Sequence, residues 1–264
     1  MLTFLIRRYR ATDRADVRKI LESALAEALD RPFPALPIEQ RAAYLTAFVE
    51  ALAVADDDRI RAAVEDLVVS LRGDWAATTR VEDCASSLDA CLGAAAALDP
   101  RAIVPEAIDE LERVIGGAYR PGDGLAHDLI AAGARGRLGD HVRCSAALLT
   151  AYQITARIPY GMLAEELMQF AHRALWDDDA GAFAVASGAR DHPFALNCAA
   201  AGVYCALAAL HAEEDYRAAA VISAGADYRG DAARILASQS ERMPPLALER
   251  ALYGLALEEW LGGS

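Results

Sequence analysis

The residues in this chain that could do chemistry fall into a few short stretches. Asp140 and His141 stand together at the expected start of a helix, where backbone N–H groups and the helix dipole favour an anion and an imidazole can exchange protons near neutral pH. Arg190, Asp191, His192 and Asn197 form a second group: Arg190 could grip a carboxylate or sugar hydroxyls, and Asp191 or His192 could move a proton. Glu82, Asp83, Asp140 and Asp191 are the acids that the helix pattern brings to one end of the fold. Glycoside hydrolysis needs two carboxyl groups flanking one bond, roughly 5 to 10 Å apart. Tyr152, Tyr204 and Tyr253 recur on helices expected to be internal and could line a cavity with hydroxyls. Each residue also has a structural role open to it: Asp140 and Asn197 as helix N-caps, His141 in a fixed hydrogen bond, the tyrosines as core.

Other chemistries find little footing. The cysteines Cys84, Cys91, Cys144, Cys198 and Cys205 are odd in number, contain no CxxC pair and fit reduced, packed thiols. His127, His172 and His211 have no metal-ligand spacing, and Asp177, Asp178 and Asp179 lack the glutamate that completes an EF-hand, so no metal or cofactor is expected. Lys19 is the sole lysine, which argues against Schiff-base chemistry. A net charge of −13 disfavours nucleic acid as a partner. No apolar run reaches the roughly 20 residues of a membrane span, and the apolar-then-basic start MLTFLIRRYR is the reverse of a secretory signal. The expectation is a cytoplasmic protein with no membrane partner.

The elements that must position these groups are helices. Over 264 residues, 55% of them hydrophobic, helical periodicity is nearly uninterrupted, and 183–186 is the one strand candidate. A first helix is expected at 14–29 with Asp13 as its cap, ended by Pro32, Pro34 and Pro37. Helical pairs follow at 40–54 with 59–71, 82–98 with 103–115, 140–155 with 160–175, and 197–210 with a shorter 216–225; single segments at 231–240 and 246–261 close the chain. The pairs are internal relatives with a period of about 40 to 60 residues, in the range of repeated helix pairs. First helices carry Ala, Cys, Leu and Tyr on nearly all faces, whereas second helices carry charge on one side. The first set is therefore inside, as in an all-α, single-domain α/α toroid spanning 1–264. Its open end gathers the loops 78–83, 133–140, 189–197 and 241–245. An open helical-repeat scaffold is the alternative architecture. About five hairpins are countable, so ring closure falls to a homodimer or to pairing of the first helix with the last.

The stretch GRLGDHVRCSAALLTAYQITARIPYGMLAEELMQFAHRALWDDDAGAFA resembles the toroid of the YyaL/thioredoxin-domain-containing family, related in fold to six-hairpin glycosidases and N-acylglucosamine epimerases. The resemblance rests on Asp140 leading an Ala/Leu-rich helix to Thr155, on Trp176, Asp177, Gly181 and Phe183 after the next helix, and on Pro193 and Asn197 before CAAAGVYCALAALHAEEDYRAAA. AYRPGDGLAH, with Gly122, Gly124 and His127, resembles that family's loop before an inner helix. The family's thioredoxin-like domain is missing, so no redox role is implied. The expected function is a binding scaffold for a small, carbohydrate-like molecule, using Asp83, Asp140, His141, Tyr152, Arg190 and Asn197. The alternative is a glycoside hydrolase or sugar epimerase, with catalysis drawn from Asp140, His141, Asp191 and His192.

Overall fold

The computed structural model describes residues 1–131, 133–220 and 225–262. Among them lie twelve α-helices: α1 (Leu2–Thr12), α2 (Ala15–Leu29), α3 (Ile38–Leu52), α4 (Asp58–Asp74), α5 (Val81–Ala94), α6 (Pro100–Ala118), α7 (Leu138–Thr155), α8 (Ile158–Leu175), α9 (Phe194–Ala212), α10 (Glu214–Ala219), α11 (Tyr228–Glu241) and α12 (Ala247–Gly262). Two tiny antiparallel hairpins interrupt them: β1 (Tyr119–Arg120) with β2 (Gly124–Leu125), and β3 (Trp176–Asp177) with β4 (Ala182–Phe183).

Local chemistry sets many of the boundaries. The carboxylates of Asp57 and Asp99 accept the N–H groups of Arg59 and Arg101 and so cap α4 and α6. Ala156 takes a left-handed φ of 54° to stop α7, and Pro159 sits in the first turn of α8, where its missing N–H costs nothing.

The helices form an α/α toroid. Helix α3 packs against α5, α5 against α7, α7 against α9 and α9 against α12; α1 then touches both α12 and α3 and completes an inner ring of six. Helices α2, α4, α6, α8 and α11 stand outside it, so five hairpins and a lone sixth inner helix close the ring within one chain. Arg7 on α1 fastens the seam, pairing with Glu259 of α12 at 3.0 Å and Glu50 of α3 at 2.9 Å. Gly254 of α12 leaves room for the ring of Phe4. One core runs through the hairpins, with Ile6, Phe48, Leu88, Leu111, Leu148, Leu167, Tyr204 and Ile235 buried.

Several sequence expectations need correction. The apolar-basic start is itself α1, the helix that closes the ring; 14–29 is its outer partner, and Asp13 ends α1 at φ 47° instead of capping α2. The helix expected at 103–115 runs on to Ala118, with Gly116 and Gly117 inside it. The outer partner of α9 is α11; α10 is a six-residue connector, and part of the expected 216–225 helix lies outside the described residues. The expected strand at 183–186 is Ala182–Phe183. Helix α9, 19 residues with a mean hydropathy of 1.5, is long and apolar enough to span a membrane by length and composition, where the sequence pattern led to no such segment being expected. Its neighbours α7, α11 and α12 account for that apolarity, because an inner helix is covered on several sides.

Candidate functional site

The loops before the inner helices collect at one end of the toroid. The 126–131 loop is laced to the start of α5: Val81 N–H donates to the His127 carbonyl at 3.0 Å and Leu129 N–H to the Thr79 carbonyl at 2.9 Å. The Thr79 hydroxyl donates to Asp128 at 2.7 Å, while the other carboxylate oxygen of Asp128 accepts from Ile130 and Ala131. This lacing aims His127 at the first turn of α7.

There Nδ1 of His127 lies 3.1 Å from each carboxylate oxygen of Asp140. Asp140 is fully buried; burial pushes its carboxyl up to about 6 against the opposing pull of His127, and Glu82 adds to the rise. The His127 side chain is 21% exposed, so the imidazole stands between the buried acid and solvent. On α5, Glu82 and Asp83 are half-buried. Arg80 is hydrogen-bonded to Glu82 and its Nε lies 3.7 Å from Asp83. Desolvation raises the Asp83 carboxyl, Arg80 opposes the rise, and both Glu82 and His127 are near enough to act on it. Glu82 also lies against the backbone of α7: a Cβ on Gly139 would fall 2.2 Å from Glu82 Oε2. Glu82, Asp83, His127 and Asp140 therefore form one group at the mouth of the ring. His127 is absent from the expected site; its sequence signal is a histidine in a Gly-rich loop thirteen residues before an aspartate in the first turn of a helix.

The remaining expected site residues do other things. His141, buried beside Asp140, accepts from Leu125 N–H at 3.2 Å through Nε2, donates through Nδ1 to the Arg137 carbonyl at 2.8 Å and stacks on Phe170. Burial drops its pKa to about 4, matching the single neutral tautomer that these partners demand. Asp140 does not cap α7, which begins at Leu138 after Arg137. Asn197 does not cap α9 either, because Phe194 already opens that helix; its amide brackets Phe183, accepting from the N–H at 2.7 Å and donating to the carbonyl at 3.0 Å. His192 pairs with Asp177 at 2.9 Å, and Arg190 and Asp191 are exposed. Their loop adjoins α7 through backbone hydrogen bonds: Leu138 N–H donates to the Val185 carbonyl, and Val185 N–H donates to the Asp191 carbonyl. Tyr152 donates to Glu213 at 2.9 Å, twelve residues and so about 18 Å along α7 from Asp140, at the opposite end of the ring. Tyr204 is core, stacked on Tyr228. Among the described residues no three His, Cys, Asp or Glu side chains converge as a metal ion would require.

A closed α/α ring with acids at its loop-rich end defines the class by fold, an α/α toroid. Solved structures with that fold match this chain. A glycoside hydrolase family 76 mannosidase from Bacteroides thetaiotaomicron VPI-5482 superposes with a TM-score of 0.66 at 12% identity, over 86% of this chain and 71% of that one. An inactive variant of an α-1,6-mannanase from Salegentibacter sp. HEL1_6, with two consecutive aspartates replaced by asparagine and α-1,6-mannotriose bound, gives 0.60 at 11% identity over 84% and 75%. At such identity the likeness is one of fold. No protein-family model matches the chain. No curated protein matches it either. The all-α toroid expected from the sequence is thus shown.

Proposed function

We propose that this protein is a carbohydrate-active enzyme of the glycoside hydrolase type, acting on a neutral glycan at the mouth of the toroid. The carrying observation is the group Glu82, Asp83, His127 and Asp140, two half-buried carboxyl groups beside an oriented imidazole. In this reading Asp83, its carboxyl raised by desolvation, is the proton donor to the departing glycosidic oxygen, and Glu82 is the second carboxyl group. His127, fixed through Nδ1 by Asp140, presents its other edge to a sugar hydroxyl. Support comes also from the neighbours: the inactivating change in the mannanase is to two adjacent acids, and Glu82–Asp83 is an adjacent acidic pair in the first turn of an inner helix. This reading replaces the scaffold expectation as the first choice. Binding without turnover is the second, favoured by Arg80, which engages both carboxylates.

The test is release of reducing ends from α-1,6-mannan and from a panel of neutral glycans. Turnover that falls by about 10³-fold or more in Glu82→Gln and Asp83→Asn supports the enzyme. Saturable glycan binding without turnover leaves the scaffold, and neither binding nor turnover removes both.

A further inference from the structure

The faces of α5 and α7 that meet at the mouth continue into the ring. On α5, Glu82, Ser86 and Asp89 follow one another at helical spacing and are all half-buried; on α7, Gly139, Arg143, Ala146 and Thr150 do the same, apart from buried Gly139. The stripes touch at two rungs. At the upper one Glu82 lies on Gly139, and at the lower one the Thr150 hydroxyl donates to Asp89 at 2.6 Å. Between the rungs Arg143 reaches Glu39 of α3 at 3.4 Å. Helix α5 stands between α3 and α7 in the ring, and α4 and α6 cover its outer side, so this pair crosses α5 on the inside. These half-buried polar side chains therefore face the inner side of the ring. Burial raises the Asp89 carboxyl, with Thr150 and Arg143 acting against the rise.

We propose that this inner face is a second binding site, in which Asp89, Arg143 and Thr150 hold a neutral pyranose other than the one acted on, with Glu39 positioning Arg143. The proposal rests on the glycan reading above and deepens it. Asp89 lies seven residues beyond Glu82, about 10 Å deeper along α5, so the two sites take different residues of one oligosaccharide. A carboxylate that accepts and a guanidinium that donates suit adjacent hydroxyl groups. Acidic sugars and sugar phosphates are disfavoured, because Asp89, Glu39 and Glu82 line the path and the protein carries a net charge of −13. Ala146, half-buried between Arg143 and Thr150, puts only a methyl group on this stripe.

Titration calorimetry and turnover with α-1,6-mannotriose, and with neutral trisaccharides of glucose, galactose and xylose, test this on the full chain. For whichever sugar is bound or cleaved, Asp89→Asn and Arg143→Met should each weaken Kd or KM by about tenfold or more, the effect of one charge-assisted hydrogen bond, with kcat changed less than threefold. Ala146→Phe should block binding without removing any polar group, and thermal melts establish that each variant is folded. Turnover that is present but has the same KM in folded Asp89→Asn and Arg143→Met overturns the second site and leaves the enzyme reading standing. A wild-type chain that neither binds nor cleaves any of the sugars overturns both.

Discussion

Asp140 and His141 are consecutive residues with separate partners: Asp140 meets the His127 imidazole at 3.1 Å, while His141 turns away to the backbone of Leu125 and Arg137. Both are buried, and burial acts on them in opposite senses, raising the acid to about 6 and lowering the base to about 4.

Their contributions to stability should therefore oppose each other as pH changes. Folded Asp140 holds its proton to higher pH than the unfolded chain does, so its contribution is full below about 4 and is lost as pH rises through 6. Folded His141 releases its proton at lower pH than the unfolded chain, so its contribution is full above about 6.5 and is lost as pH falls through 4. Each amounts to about 3 kcal/mol, and in the wild type they largely cancel. In urea titrations between pH 4 and 7, Asp140→Asn should gain stability relative to wild type as pH rises, and His141→Gln should lose it. Three parallel profiles would refute the assignment.

Two glycines at the mouth should respond oppositely to alanine. At Gly139 the new Cβ crowds the flexible end of Glu82 and meets Leu196 Cδ1 at an ordinary 3.7 Å, in a helix where Ala is favoured over Gly by up to about 1 kcal/mol. Gly139→Ala should fold at least as stably as wild type, yet lose turnover because Glu82 is displaced. Gly124 has φ 67°, and a Cβ there falls 2.6 Å from both His141 Nε2 and the Phe170 ring. Gly124→Ala should lose about 3 kcal/mol or more, read as a shift in the urea midpoint.

Helix pairing was legible because inner and outer helices differ in how many faces are apolar, a property of each segment alone. The pairing of His127 with Asp140 was not, since it depends on backbone hydrogen bonds between the 126–131 loop and residues 79–81, which leave no periodic trace. The same limit hid α1. Its turns LTFLIRRYRAT bury Ile6 alone, and a helix so lightly buried is defined by the ring it completes, not by its own pattern. Asn197 looked like a cap because caps and bracketing amides call for the same residue type; only the position of Phe183 separates the two roles.

Ring closure through Arg7 can be measured on its own. The guanidinium is about one-third exposed and serves Glu50 and Glu259 together, and these partners lift its pKa above the ordinary arginine value despite the opposing desolvation. Arg7→Met keeps the stem and removes both pairs, so a loss of about 1 to 2 kcal/mol is expected, smaller at high salt. Hydrogen exchange should rise most in α1 and α12. Uniform exchange across all helices would show that the seam is not where the ring opens.

Asn197 offers the sharpest test of a buried polar group. Its amide is fully buried, accepts the Phe183 N–H and donates to the carbonyls of Phe183 and Pro193. No other side chain of that size satisfies one donor and two acceptors. Asn197→Asp has the right shape but sets an oxygen against two carbonyl oxygens without water to separate them, whereas Asn197→Leu leaves all three backbone groups unsatisfied. Each should lose about 3 kcal/mol or more. The aspartate variant should recover stability as pH falls and its carboxyl takes up a proton, because a protonated acid can donate again; the leucine variant has nothing to titrate and should not recover. Thermal melts at pH 4 and pH 7 separate the two, and a leucine variant that also recovers on acidification would mean that the bracket around Phe183 is not what the substitution breaks.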